Sequence, residues 1–129
     1  MEDFPEFMKQ ARNKIPVDQQ NTNDVEGYVY EAADGSQMAF WSCRTDRVSM
    51  PHRHDFDEYM VVVSGRYVAV VGGTEHVLGP GEELLIPAGT EQRGSCSAGT
   101  RTIHAFGGRR IRTGNTHARA PAGHGGGGV

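Results

Sequence analysis

Two histidines two residues apart, His52 and His54, are followed by a carboxylate at Glu58 and by the strand-forming run Tyr59 to Val63, which stops at Gly65. In an extended chain, residues two apart point to the same side. His52 and His54 therefore aim their imidazoles into one space, and Glu58 has the parity to join them. Two imidazoles and a carboxylate suit one divalent transition metal, held on one face with its other positions open. The oxygen donor favours iron, manganese, nickel or zinc over a thiolate-loving ion. The plain alternative is a pair of exposed loop histidines beside acidic neighbours, Asp55 and Asp57. The strand behind Glu58 favours the metal reading. A further histidine, His104, lies in Thr-Ile-His-Ala-Phe near the end of the patterned region. If Thr102, His104 and Phe106 face inward, His104 is a candidate catalytic residue, able to complete a metal shell or to move a proton near neutral pH. A core or surface histidine bonded to backbone is the competing role.

These residues need a frame of short strands. Val25 to Glu31 alternates as a strand, Ala33-Asp34-Gly35-Ser36 turns, and Gln37 to Arg44 reads as the next strand, apolar on both faces and so covered on both sides. Tyr59–Ser64 and Arg66–Val71 follow around Gly65. Gly72-Gly73 makes a tight turn into Thr74–Leu78. Glu83–Ile86, Thr90–Cys96 and Arg101–Phe106 complete the set. Short strands punctuated by Gly and Pro at close spacing predict an all-β fold, a single antiparallel double-sheet β-barrel or jelly roll. Ahead of it, Asp3 to Lys14 reads as a short N-terminal helix with Asp3 as cap, Pro5 in the first turn and a stripe of Phe4, Phe7 and Met8. The division expected is an N-terminal helix and loop over 1–24, the barrel over 25–107, and a Gly-rich tail over 108–129, disordered or lightly docked and carrying His117 and His124.

The stretch His52-x-His54-x3-Glu58-x6-Gly65 resembles the first motif of the cupin superfamily, with Asp46 where that motif usually opens on glycine. Gly81, Pro87 and Gly89 fall at positions of its second motif, and Gln92 stands where the family usually presents a third histidine. The resemblance spans about residues 25–107 and implies the cupin barrel, with His52, His54, Glu58 and the Gln92 position as metal ligands. Three roles for Gln92 stay open: a neutral fourth ligand through its amide oxygen, a group that orients water or substrate, or the mark of a site that no longer holds metal tightly. Relatives of such a chain include dioxygenases, sugar isomerases, lyases and non-catalytic sensor domains. The resulting expectation is a small metal-dependent enzyme, of dioxygenase or isomerase/lyase type, acting on a compact oxygen-rich metabolite. The alternative is a module that binds a small ligand without converting it.

The bulk numbers fit one domain. The 129 residues carry a formal net charge of −3 and a pI near 6.0, which leaves no electrostatic footprint for nucleic acid. No apolar run has the length of a membrane span, and the acidic opening Met-Glu-Asp-Phe-Pro-Glu has no signal-peptide pattern. The expectation is a cytoplasmic protein that binds a small molecule, neither nucleic acid nor membrane, with Cys43 and Cys96 as buried reduced thiols. A homodimer is expected, with the Phe4, Phe7 and Met8 stripe covering a sheet edge across a two-fold axis.

Overall fold

The computed structural model describes residues 1–19 and 25–112. Among these residues, alternation of inward and outward side chains builds nine strands, β1 (Val25–Glu31), β2 (Gln37–Cys43), β3 (Arg47–Val48), β4 (Glu58–Ser64), β5 (Tyr67–Val71), β6 (Thr74–Leu78), β7 (Glu83–Ile86), β8 (Gln92–Cys96) and β9 (Arg101–Phe106). They form a five-stranded sheet in the order β1-β2-β9-β4-β7 and a four-stranded sheet in the order β3-β8-β5-β6, with every pairing antiparallel. The architecture is a jelly-roll sandwich. The two sheets are not hydrogen-bonded into a closed barrel, which refines the barrel expected from the turn spacing. The two-residue strand β3 is too short to leave a periodic signal.

Between the sheets lie two buried clusters. Met60, Val62 and Leu78 pack with Tyr67 and Leu84. Ile15, Val29, Ala39, Phe106 and Ile111 pack with Trp41 and Phe56. A third cluster, Phe4, Tyr28 and Phe40 with Met8, Val63 and Ile103, covers the outer face of the larger sheet. Gly65 shows why a motif position demands glycine. Its φ is +84°, and a Cβ there would lie 2.5 Å from the Thr100 Cα.

The expected N-terminal α-helix is absent. In its place are three single 3-10 turns, Glu6–Met8, Ala11–Asn13 and Val17–Gln19. The reason lies in two anchors on opposite faces of the sheet. Phe4 packs on Phe40 outside, with ring centroids 4.6 Å apart, whereas Ile15 belongs to the inner cluster. The segment must wrap the β1 edge to serve both, and a straight helix would follow only one face. The Ile15 amide donates to the Gly27 carbonyl as it passes, and Lys14 bridges to Tyr28. The β1 edge is thus covered by its own chain. Of the expected stripe, Phe4 is buried and Met8 half-buried, while Phe7 is exposed.

Cys43 and Cys96 form a disulfide, which corrects the expectation of reduced thiols. A separation of 53 residues says little about distance in a sandwich. Cys43 ends β2, where its amide donates to the Thr100 carbonyl and its own carbonyl accepts from Gly99. Cys96 ends β8, just before that same turn, so the bond clamps one sheet to the other. Disulfides persist in oxidising surroundings, so the pair lends no support to a cytoplasmic location. No helix among the described residues is long and apolar enough to cross a membrane.

The tail expected from 108 begins with ordered contacts. Arg110 and Ile111 are buried, held by the Gln37 side chain, whose Oε1 accepts both of their amides at 2.9 Å. The Gln37 amide in turn donates to the Ile111 carbonyl at 2.6 Å. Residues 113–129, with His117 and His124, lie outside the described residues, as do residues 20–24 of the loop.

Candidate functional site

The site grows out of the strand parity. On β4, Glu58, Met60 and Val62 point inward and Tyr59 points out, its hydroxyl donating to Glu83. On β9, Thr102, His104 and Phe106 face the interior opposite them. His52 and His54 precede β4 in chain that is not strand, yet Glu58 keeps their side. His52 is placed by an antiparallel bridge to Gln92, with amide-to-carbonyl distances of 2.9 and 2.8 Å in the two directions. His54 is fixed by its carbonyl, which accepts from the Gly89 amide, and by Phe56, which stacks on its ring at 5.1 Å. The second-motif glycine and Gln92 therefore hold the backbone that carries the first motif.

These elements line a cavity of about 90 Å³ between the sheets, open on one side. His52, Glu58, Gln92, Thr102 and His104 line it, with Trp41 and Phe106 as aromatic walls and Arg47 and Arg110 as cations. His54 stands behind this wall.

Glu58 is the polar centre and is buried. Its Oε2 lies 2.7 Å from His104 Nδ1, and its Oε1 accepts from the Gln92 amide nitrogen at 2.9 Å. Burial alone would raise its pKa. The His104 hydrogen bond and charge, with help from Gln92 and His54, outweigh burial and lower it to about 2. An ionised Glu58 can only accept, so His104 Nδ1 carries a proton. His104 Nε2 then faces the Thr102 hydroxyl at 2.9 Å, and Trp41 meets the ring edge-on at 4.8 Å. The arrangement fixes the orientation of one imidazole, with its other nitrogen on the side of the cavity-lining Thr102.

The histidine pair behaves differently. Their rings are 5.0 Å apart. His52 Nδ1 lies 2.8 Å from the Met50 carbonyl, which can only accept, so that nitrogen carries a proton. His54 Nε2 is buried without a hydrogen-bond partner among the described residues, 3.7 Å from Glu58 Oε1. Burial depresses both rings, His54 to about 4, so both are neutral at pH 7, the state in which imidazole binds metal. The two histidines thus fit a divalent ion. Glu58 fits one only by giving up a protein hydrogen bond, and Gln92 directs its amide nitrogen, not its oxygen, at the carboxylate. Among the described residues, no group of three or more His, Cys, Asp or Glu is already arranged to hold a metal.

All five residues singled out in the sequence, His52, His54, Glu58, Gln92 and His104, are brought into one neighbourhood. Sequence reasoning missed Arg47 and Arg110, which line the same cavity. Neither carries a spacing signal, and Arg110 lies in the stretch assigned to the tail.

A family model described as a cupin domain matches residues 44–105. Among solved structures, KdgF from Halomonas sp. superposes with a TM-score of 0.62 at 18% identity, covering 74% of this chain and 93% of that one. An RmlC-like cupin from Shewanella frigidimarina gives 0.65 at 16% identity, covering 81% and 86%. A variant of salicylate 1,2-dioxygenase from Pseudoaminobacter salicylatoxidans gives 0.60 at 11% identity, covering 64% of this chain and 26% of that one. At these identities the likeness is one of fold. No curated protein matches the chain by sequence.

Proposed function

We propose that this chain, which belongs to the cupin superfamily, binds a small oxygen-rich molecule in its cavity and converts it with the help of one divalent transition ion, in a reaction of dioxygenase or isomerase/lyase type. His52, His54 and Glu58 would hold the ion, and Gln92 would join them as a neutral fourth donor only by turning its amide oxygen toward it. When bound, the ion supplies a Lewis acid for a substrate oxygen. The remaining chemistry belongs to the chain. His104, oriented through Nδ1 by Glu58, holds or moves a proton at Nε2. Trp41 and Phe106 exclude water from one flank, and the His52–Gln92 bridge keeps the donors in register.

The observation that carries this reading is His54 Nε2, a neutral, buried nitrogen without a hydrogen-bond partner among the described residues, beside an ionised carboxylate. Such an orphan costs about 1–3 kcal/mol, and an ion held by His54 would remove the cost. The test is elemental analysis of freshly purified protein, followed by oxygen-consumption and product assays on the metal-loaded chain with candidate metabolites. About one transition ion per chain, lost in His54→Ala, supports the reading. Absence of metal under every loading condition ends it.

A second reading, the non-catalytic ligand-binding module, has its own support. Both oxygens of Glu58 are already satisfied by Gln92 and His104. Metal-loaded protein that binds candidate metabolites and never converts them would favour it.

A further inference from the structure

The wall opposite Glu58 and His104 belongs to the four-stranded sheet, and it carries a phenol that the function proposed above does not use. Tyr67 opens β5, lines the cavity, and packs its ring against the cluster of Met60, Val62 and Leu78. In the pairing of β5 with β8, Tyr67 stands opposite Cys96 and Ala69 opposite Gly94. Gly94 is thus the diagonal neighbour of Tyr67, within reach of an aromatic side chain. The phenol does reach it. A Cβ on Gly94 would lie 2.0 Å from the Tyr67 hydroxyl oxygen and 2.4 Å from Cζ. Gly94 sits inside β8 without the left-handed φ that demands glycine at Gly65. Its missing side chain is therefore a seat for the phenol. Ser49 fixes that seat, its Oγ accepting the Gly94 amide at 2.8 Å and its own amide donating to the Gly94 carbonyl at 2.7 Å. Gly94 stands one same-face step, about 7 Å, from Gln92 on β8, and both line the cavity.

Two other hydroxyls of the lining are engaged. Thr102 faces His104 Nε2 at 2.9 Å, and Ser49 holds the Gly94 amide. The Tyr67 hydroxyl makes no hydrogen bond to a described residue, and Tyr67 is only partly buried. Burial, and after it the charge of Glu58, pushes the phenol above its ordinary range against the opposing charge of Arg110, so Tyr67 keeps its proton at neutral pH. A neutral phenol donates through its O–H. In the open cavity water can accept that bond, and a ligand oxygen can take the water's place. We infer that Tyr67 is a specificity-determining contact of the cavity, its hydroxyl donating to an oxygen of the bound molecule from the wall opposite Glu58 and His104, with Gly94 as the seat that aims it. The contact deepens the proposed function and rests on its reading of the cavity as the ligand site. It requires of the bound molecule a carbonyl or hydroxyl oxygen at the end that lies over β8, and it requires no metal.

The experiment is NMR titration of the full chain at neutral pH after treatment with EDTA, with isotope labels on nitrogen and on the tyrosine Cζ. The chain has a single tryptophan, Trp41, which lines the cavity, so its indole N–H signal reports occupancy there. The Tyr67 signal is the one missing from Tyr67→Phe. The probes are an oxygen-bearing molecule and its hydrocarbon counterpart in two pairs, cyclopentanone with cyclopentene and benzyl alcohol with toluene. At least one oxygen-bearing probe is expected to shift the Trp41 indole and the Tyr67 Cζ together and to bind about five-fold or more tighter than its counterpart. In Tyr67→Phe, which keeps the ring on Gly94, that preference should shrink to about two-fold or less, with the hydrocarbon bound as before. Gly94→Ala, whose Cβ drives the phenol off the strand, should lose the same preference, and adding Tyr67→Phe to it should change nothing further. Each variant decides alone should the other fail to fold. A preference that survives in the folded variants overturns the inference, as does a probe that shifts Trp41 but not Tyr67; both leave the cavity as the ligand site. Binding that leaves Trp41 unmoved overturns the inference and the cavity reading beneath it. Absence of binding by every probe overturns the inference too. Tyr67-dependent binding by a protein that holds no metal and converts nothing leaves the inference standing and turns the proposed function to its non-catalytic alternative.

Discussion

The two faces of the five-stranded sheet are made by alternate residues of the same strands, yet they differ in kind. On β2, Phe40 points out and Trp41 in; on β9, Ile103 points out and His104 in; on β4, Tyr59 points out and Glu58 in. The outer face is closed by apolar contact, with Phe4, Tyr28 and Phe40 packed as an aromatic group. The inner face places Glu58 and His104 on a cavity whose other polar walls are Gln92 and Arg47 from the four-stranded sheet and Arg110 from beyond β9. Low polarity strengthens every paired polar contact there and penalises every unpaired one. The outer face therefore holds the sheet together, whereas the inner side buries His54 Nε2 without a hydrogen-bond partner among the described residues. Functional sites are where local rules of stability are expected to be broken.

The largest effect separating the faces should come from Phe40→Ala. Phe40 is 4% exposed and touches Phe4, Tyr28 and Tyr30, with centroids 4.6, 5.5 and 6.3 Å away. Its loss should cost about 3–5 kcal/mol in denaturant unfolding, while any ligand or metal affinity of the folded fraction stays as it was. A loss of affinity at equal folded fraction would show that the two faces are coupled.

Next is the bond joining the sheets. Opening the disulfide in the Cys43→Ala, Cys96→Ala double variant should cost about 2–4 kcal/mol through the freedom returned to the unfolded chain. Cys96 lines the cavity, so the variant also sharpens the comparison. Ligand affinity should fall with stability here, unlike in Phe40→Ala. Thermal unfolding and titration on the same samples check both.

How much of this was visible in the sequence follows the same division. Strand parity and turns are local, so eight of the nine strands could be read directly, as could the inward set His52, His54 and Glu58. His104 was placed by parity alone, because β9 alternates cleanly. Two kinds of feature stayed hidden. One kind depends on a partner distant in the chain, such as Cys43 meeting Cys96, or Arg110 held by Gln37. The other depends on a local preference being overruled. Residues 3–14 have the cap and stripe of a helix, but anchors on both sides of an edge strand forbid a straight one. The Gln92 amide belongs to the first kind. Its position was legible from spacing, but its hydrogen bond to Glu58 appears only when β4 and β8 are brought together.

That hydrogen bond gives a medium effect. In metal-free protein, Gln92→Ala removes one of the donors to a buried carboxylate and should cost about 1.5–3 kcal/mol in urea unfolding. Gln92→His offers the inner face an imidazole in place of an amide, so metal affinity measured by competition with a chelator should rise. If metal affinity is unchanged in both variants, Gln92 serves Glu58 alone.

The smallest effect, and the sharpest test of the contrast, is His54→Leu. In the metal-free protein His54 Nε2 is a buried polar atom without a hydrogen-bond partner among the described residues, so an apolar side chain of similar reach should stabilise the fold by about 1 kcal/mol at pH 7. The pH dependence has a definite sign. Burial lowers the pKa of His54 from 6.5 to about 4. Between those values the unfolded chain binds a proton that the folded chain refuses. The stability that His54 retains above pH 6.5 is therefore lost as the pH falls toward 4. Glu58, lowered from 4.5 to about 2, adds a second loss in the same direction but in a lower window. In His54→Leu the His54 share of the upper loss should disappear, while the share from His52, also depressed by burial, and the lower loss remain, so the gain over wild type should grow as the pH falls from 6.5 to 4. The check is urea unfolding of EDTA-treated wild type and variant across that range. A gain that stays flat with pH would mean that His54 is already partnered in solution. In that case the inner face would hold no orphan nitrogen, and its contrast with the outer face would rest on Glu58 and the arginines alone.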